Sequence, residues 1–220
     1  PLKAVMSVMN RFTNYCYISK KSAEKVGFKP DQSIDEKIKR LKGLTIGGTR
    51  PGSTTFLLAQ YYLKRANLVP QQDATVLGIG GGQALLAALE NGRIDVSCFA
   101  SPGVEQAVAR GNALVFINHP QGEDPALKEF LFELLYVRPD YAEKNPETVK
   151  KVVKALVDAN QWIQTAKIED HLEILRKRFP GIEDAILIES IKNTIAAIEP
   201  KKSHSANISP HQKPYHIANL

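Results

Sequence analysis

From residue 41 to residue 118 the chain alternates between short apolar runs of strand length and longer stretches whose apolar positions recur at helical spacing. Residues 45–48 predict a short strand, 50–55 a tight loop, and 54–66 a helix carrying Leu57, Leu58, Tyr61 and Tyr62. The unit then repeats. Residues 74–79 read as an apolar strand, 80–82 as a glycine loop, and 83–91 as a helix halted by Gly92, which suits the left-handed position after a helix. Residues 94–100 make a third strand, 101–103 a third loop, 104–110 a third helix ending at Gly111, and 113–118 a fourth strand. Strands joined through short loops to helices predict a parallel sheet covered on both faces, and so one α/β unit over residues 43–118.

The flanks have a different pattern. Residues 1–9 read as a buried strand entered abruptly, so the chain is expected to begin partway through a longer protein. A polar stretch, 10–14, precedes a second apolar strand at 15–19. Residues 20–40 are charged and loosely helical, with a turn at 27–30 and a cap at Ser33 answered by Glu36 three residues on. Residues 130–138 predict a buried strand after the polar linker 121–128. Asn145 followed by Pro146 then marks a helix start, with Asn145 as the cap. Val149, Val152, Val153, Leu156, Val157 and Ile163 line one face of that helix. Leu172, Leu175 and Phe179 mark another, residues 186–198 a last one, and residues 201–220 a polar irregular tail.

Composition narrows the classes. A hydrophobic fraction of 43% and a charged fraction of 24% in 220 residues belong to an ordinary globular chain. No apolar run approaches the roughly 18 residues of a membrane span, so no direct membrane insertion is expected of this chain, and its start lacks the pattern of a signal peptide. The net charge of +6 is spread over separate patches, such as residues 37–42 and 150–154, interleaved with acids. That spacing predicts solvated helix faces and no nucleic-acid partner; attraction of an anionic solute is the alternative use of the excess. Cys16 and Cys98 each sit in an apolar run without metal-ligand spacing and read as small buried hydrophobes, with no metal site expected.

The candidate chemistry lies in the three loops. Loops that follow parallel strands emerge on one sheet edge, and each here opens a helix, so unpaired N–H groups converge there. Ser53, Thr54, Thr55 and Gln83 add neutral donors, and the glycines permit close backbone approach. Such an edge suits a sulfonate, nitrate, phosphate or carboxylate. The plainer reading of each loop alone is a capped helix after a turn. Residues 78–82 imitate a dinucleotide loop, but Gln83 occupies the third glycine position and Asp95 begins the following strand instead of ending it. No Walker loop or Gly-x-Ser-x-Gly is present, and none of the five histidines falls in the three loops. Glu105, the only acid near them, reads as a first-turn dipole partner. A donor-rich edge poor in titratable groups predicts binding, no catalysis and no cofactor.

The run from Leu41 to Thr55 (LKGLTIGGTRPGSTT) resembles the second-lobe opening of nitrate-, sulfonate- and taurine-type solute-binding proteins of ABC importers. The run from Gly80 to Asp95 (GGGQALLAALENGRID) is similar to its continuation, and Tyr141 to Val149 to its return helix. The broader group includes binders of thiamine-precursor pyrimidines. The resemblance implies an α/β, type II periplasmic-binding fold of two lobes with parallel-type sheets, the first lobe partial because the family's opening βαβ segment is missing. Residues 1–9 and 139–200 would form that first lobe, 10–42 and 119–138 the crossover, hinge and linker segments, and 43–118 the second lobe. It implies ligand contacts from Ser53, Thr54 and Thr55, from Gly81, Gly82 and Gln83, and from Ser101 and Pro102, with Arg11, Phe12 and Asn14 where the first crossover passes the cleft. Arg50 either supplies a counter-charge or points outward. The implied partners are a small anionic or heteroaromatic solute and a membrane permease. The implied location is periplasmic or extracellular, with a lipid anchor open for the full-length protein. Two alternatives remain: an effector-sensing domain of a LysR-type transcription regulator, and a thiamine-precursor enzyme on the same scaffold.

Overall fold

The computed structural model describes residues 2–198 except 10, 129 and 131; the tail predicted at 201–220 lies outside the described residues. The chain runs β1 (Lys3–Met9), β2 (Tyr15–Ser19), α1 (Lys20–Val26), α2 (Ile34–Lys39), β3 (Thr45–Gly48), α3 (Thr54–Arg65), β4 (Thr75–Gly78), α4 (Gly82–Glu90), β5 (Val96–Phe99), α5 (Gly103–Ala109) and β6 (Ala113–Asn118). It continues through β7 (Glu133–Val137), α6 (Pro139–Lys144), α7 (Pro146–Thr165), α8 (Ile168–Arg178) and α9 (Asp184–Ile198). Every strand and helix predicted between residues 41 and 118 is present, with ends moved by one or two residues.

The main sheet has the order β4-β3-β5-β2-β6. β3 is parallel to β4 and β5, but β2 runs antiparallel to both β5 and β6. The strands of residues 43–118 are thus parallel to one another, as expected; what is corrected is β2, read as part of a crossover, which is an antiparallel interior strand of this sheet. Pleating sends Tyr15 and Tyr17 to one face and Cys16 and Ile18 to the other. The first pair packs with Leu85, Leu86 and Leu89 of α4 and Val104 of α5. The second packs with Ile38 of α2 and Leu58, Tyr62 and Leu63 of α3. Both faces are covered, as strand-helix alternation requires.

Register puts Cys16 directly opposite Cys98 on the second face, and the two form a disulfide. They are buried, as expected, but joined; two runs 82 residues apart in sequence gave no sign of pairing, because it follows from the antiparallel insertion of β2. Lys37 also departs from the solvated reading: it is buried, its ammonium paired with Glu123 and lying 5.6 Å over the Phe28 ring.

β1 and β7 form a separate antiparallel pair. Both were expected to be buried, yet only Met6 of β1 is, and β7 is half-exposed along its length. One face of the pair rests on α6 and α7 through Met6, Ala142, Val149 and Val153, a small core. Asn145 marks the start of α7, but its amide bonds back to the Tyr141 carbonyl and does not cap the helix. The capping box at Ser33 and Glu36 forms as predicted.

The two crossings between these sheets are fastened by a buried network. Asp124 accepts from the Tyr62 hydroxyl at 2.8 Å, from Arg65 at 3.0 and 3.1 Å, and from the Ala126 amide at 3.1 Å. His119 Nδ1 lies 2.5 Å from the Asn14 carbonyl, which only accepts, so Nδ1 carries the proton; the bare Nε2, 2.6 Å from the Tyr62 oxygen, competes with Asp124 for the single proton of that hydroxyl. Burial lowers the His119 pKa to about 4, against the backbone bond and the nearby carboxylates, which raise it.

Two outcomes follow for stability. The unfolded chain binds a proton at His119 below about pH 6.5, which the folded chain resists until about pH 4. Stability is therefore full above the unfolded pKa and falls as pH drops, by about 2 kcal/mol from pH 7 to pH 5 for this group. Urea titrations across that range should show the slope in the wild type and its reduction in His119→Gln. Denatured, unreduced protein should present no thiol from Cys16 or Cys98, and reduction should lower the unfolding free energy by about 2–4 kcal/mol.

Candidate functional site

β3, β4, β5 and β6 all end on one edge, and the loops that leave β3, β4 and β5 there lead into α3, α4 and α5. β2, running the other way, begins on that edge: Tyr15 pairs with Phe99 and Asn118, the last residues of β5 and β6.

The first loop is internally bonded. Ser53 is the N-cap of α3; its hydroxyl accepts from the Phe56 amide and donates to the Arg50 carbonyl at 2.7 Å. Thr55 is buried, and its hydroxyl accepts from the Thr49 amide at 3.0 Å. Thr54, between them, is exposed. Gly48 lets α3 start close against the strand, because a Cβ there would lie 3.0 Å from the Phe56 backbone. Arg50 is exposed.

The second loop is more open. Gly81 is the N-cap of α4 with no side chain to cap it, so the first amides of that helix have no acceptor within it. A Cβ on Gly81 would meet nothing within 4 Å, whereas one on Gly82 would lie 2.5 Å from the Phe99 ring. Gln83 is exposed, and its amide reaches Gln106 of α5 at 3.3 Å. In the third loop Ser101 is partly buried and Pro102 buried, after a cis peptide bond.

The crossover residues face inward. Arg11 donates to the Pro120 carbonyl at 3.2 Å and the Ala196 carbonyl at 2.9 Å. Phe12 packs on His119 and Phe132, at ring distances of 5.2 and 4.4 Å. Asn14 is buried, its carbonyl bonded to His119. The three loops thus share an edge, while Arg11 and Phe12 are committed to the joint between the sheets.

Two polar residues that sequence reading did not place at the edge lie beneath the third loop. Glu105 was read as a dipole partner at the start of a helix; it is buried, and one carboxylate oxygen accepts from the Ser101 hydroxyl at 2.6 Å and from Asn193 of α9 at 3.1 Å. Its other oxygen has no hydrogen-bond partner. The Tyr15 hydroxyl is also buried, beside Ser101 and Glu105, both of which act on it. Burial first and the Glu105 charge second raise its pKa, so it stays protonated. The four-residue spacing from Ser101 to Glu105 was the one available signal. Among the described residues no group of His, Cys, Asp and Glu could hold a metal ion.

The model of the NMT1-like family matches residues 5–175. The chain belongs to the NMT1-like family. A nitrate/nitrite-binding protein of Nostoc is 26% identical over 164 residues, 70% of this chain and 34% of that protein. Among solved structures, a Bordetella bronchiseptica protein superposes with a TM-score of 0.72 at 23% identity, over 90% of this chain and 60% of its own. The periplasmic aliphatic sulphonate binding protein of Escherichia coli gives 0.64 at 17% identity, over 87% and 56%. The fold is therefore that of a type II periplasmic binding protein, and this NMT1-like chain spans about a third of the length of the Nostoc relative.

The glycine geometry separates two neighbouring substitutions. Gly82→Ala should cost about 1–3 kcal/mol, because the Phe99 ring cannot retreat without disturbing the core. Gly81→Ala should stay within about 0.5 kcal/mol of wild type. Urea unfolding of the pair is the check.

Proposed function

We propose that this chain is the ligand-gripping part of a solute-binding protein of an ABC importer, that it catalyses nothing, and that it works in the periplasm or outside the cell. The observation that carries the reading is the convergence of three helix-opening loops on one sheet edge, with the first amides of α4 left without a side-chain cap. α3 and α4 direct the positive ends of their dipoles at that edge, which favours the negative end of a solute. The net charge of +6 has the same sign. The names of its relatives support the class: one binds nitrate and nitrite, another aliphatic sulphonates. A disulfide fits an oxidising compartment, and among the described residues no helix is long and apolar enough to cross a membrane.

In this reading residues 43–118 with β2 form one wall of the cleft. Residues 1–9 and the helices after residue 139 belong to the opposing lobe, and 10–14 and 119–132 are the hinge. The solute contacts are Thr54, Gly81, Gly82, Gln83 and Ser101. Ser53 and Thr55 shape the first loop, and Pro102 the third. A permease is the partner that receives the solute.

Titration calorimetry with nitrate, short alkanesulfonates and carboxylates tests this. At least one is expected to bind, and Thr54→Val, which removes an exposed hydroxyl while keeping its shape, should weaken it by about tenfold with stability unchanged. Affinity unaltered by Thr54→Val would remove the first loop from the site. Silence from every anion would count against the class.

A further inference from the structure

β6 is the outer strand of the main sheet. Among the described residues it pairs with β2 alone, so on its other side alternate backbone N–H and C=O groups point away from the sheet. Its sequence from Ala113 to Ile117, ALVFI, has neither a charge nor a proline to guard that edge, though it has one bulge, at Phe116. The end near the loops is closed, because the Asn118 amide donates to the Glu123 carboxylate at 2.6 Å. The stretch before it is open.

A groove of about 440 Å³ lies beside that stretch, between α1 and β6. Ala23, Phe28 and Leu114 give it an apolar floor, and the Phe116 ring backs Phe28 at 5.2 Å. Lys20 and Lys29 line it too, with Glu24 as the one acid. The Lys20 amide bonds to the Asn112 carbonyl, just before β6 begins, whereas Lys29 follows Phe28 at the level of Phe116. Two ammoniums therefore flank an apolar floor over about four strand residues, roughly 13 Å. Among the described residues neither forms an ion pair, and nor do Lys21 and Lys25 of the same helix.

We propose that this edge and groove bind an extended segment of a partner protein by strand addition to β6, the segment carrying an apolar side chain between two carboxylates on one face. Backbone bonds to the edge supply the affinity, Phe28 and Leu114 seat the apolar side chain, and Lys20 and Lys29 select the acids. A second copy of this chain fits less well. Antiparallel pairing of two β6 edges sets the Lys20 end of one against the Lys29 end of the other, cation against cation. This surface is separate from the solute edge, because Ala113 begins β6 and the loops lie at its other end.

The test is an NMR titration of the full chain with the capped peptide Thr-Asp-Thr-Val-Thr-Asp-Thr, whose Asp, Val and Asp share one face when extended. One control has Lys for both Asp, and another has alternate backbone amides methylated, which removes ladder donors. The acidic peptide should shift the amides of Ala113–Phe116 and Lys20–Lys29 saturably, with a dissociation constant of about 1 mM or tighter. Both controls should bind at least about tenfold more weakly. Lys20→Glu with Lys29→Glu, at two exposed positions, should reverse the preference between the Asp and Lys peptides. Absence of a saturable shift, equal binding of the Lys peptide, undiminished binding after methylation or an unreversed preference each overturns the proposal. So does a dimer of the peptide-free protein in sedimentation equilibrium that Lys20→Glu alone strengthens, which assigns the edge to a second copy.

Discussion

β2 enters the main sheet between β5 and β6 and runs against both. Because the helix-opening loops follow strands pointing the other way, the segment that leads into β2 must arrive on the same edge as those loops. That direction puts Tyr15 among the loop ends and brings the second-face residue Cys16 opposite Cys98. It also makes residues 11–14 pass beside residues 119–132 on the way to the other sheet. Phe12 packs at a tilt against Phe132, and the Asn14 carbonyl meets His119. The joint, the disulfide and the floor of the edge therefore share one cause. A parallel β2 would have delivered its other end, Ser19, to the edge.

Two buried carboxylates show how unequally the molecule treats charge. Asp124 receives a hydroxyl, an arginine and a backbone amide, so its desolvation is offset within the chain and it acts as a rivet for the second crossing. Glu105 receives a hydroxyl and an amide on one oxygen only. Both sit in folded, low-dielectric surroundings where a missing donor is costly. The remaining Glu105 oxygen has the Tyr15 hydroxyl for a neighbour. Their positions differ, however: Asp124 lies under α3 with Tyr62 and Arg65, and Glu105 lies at the loop edge.

What was readable in the sequence was local. Strand and helix alternation from residue 41 to 118, the capping box at Ser33, and the glycines after α4 and α5 each depend on neighbours a few residues away, and all appear in the structure. What was missed depended on pairing between distant segments. The antiparallel sense of β2 requires knowing its partners, and the Cys16–Cys98 bond follows from that sense. Glu105 reads as an ordinary first-turn acid until α9 brings Asn193 to it from 88 residues away. The exposure of β1 and β7 was hidden for a related reason: apolar runs report that a strand can be covered, and only the tertiary arrangement says by what. Lys37 illustrates the converse, a basic residue in a charged helix that is buried because Glu123, beyond the end of β6, reaches it.

The same long-range contacts limit how the two halves can move. Arg11 bonds both the Pro120 carbonyl and the carbonyl of Ala196 in the last turn of α9, where a cation complements the helix dipole. That single guanidinium ties both crossings to the end of α9. Asn193 is three residues earlier in the same helix and touches Glu105. The Ser101–Glu105–Asn193 contacts thus tie the third loop to α9, while Thr54 and Gly81 are exposed on the same edge. The packing of α9 on α5 is what fixes that corner to the second half of the chain.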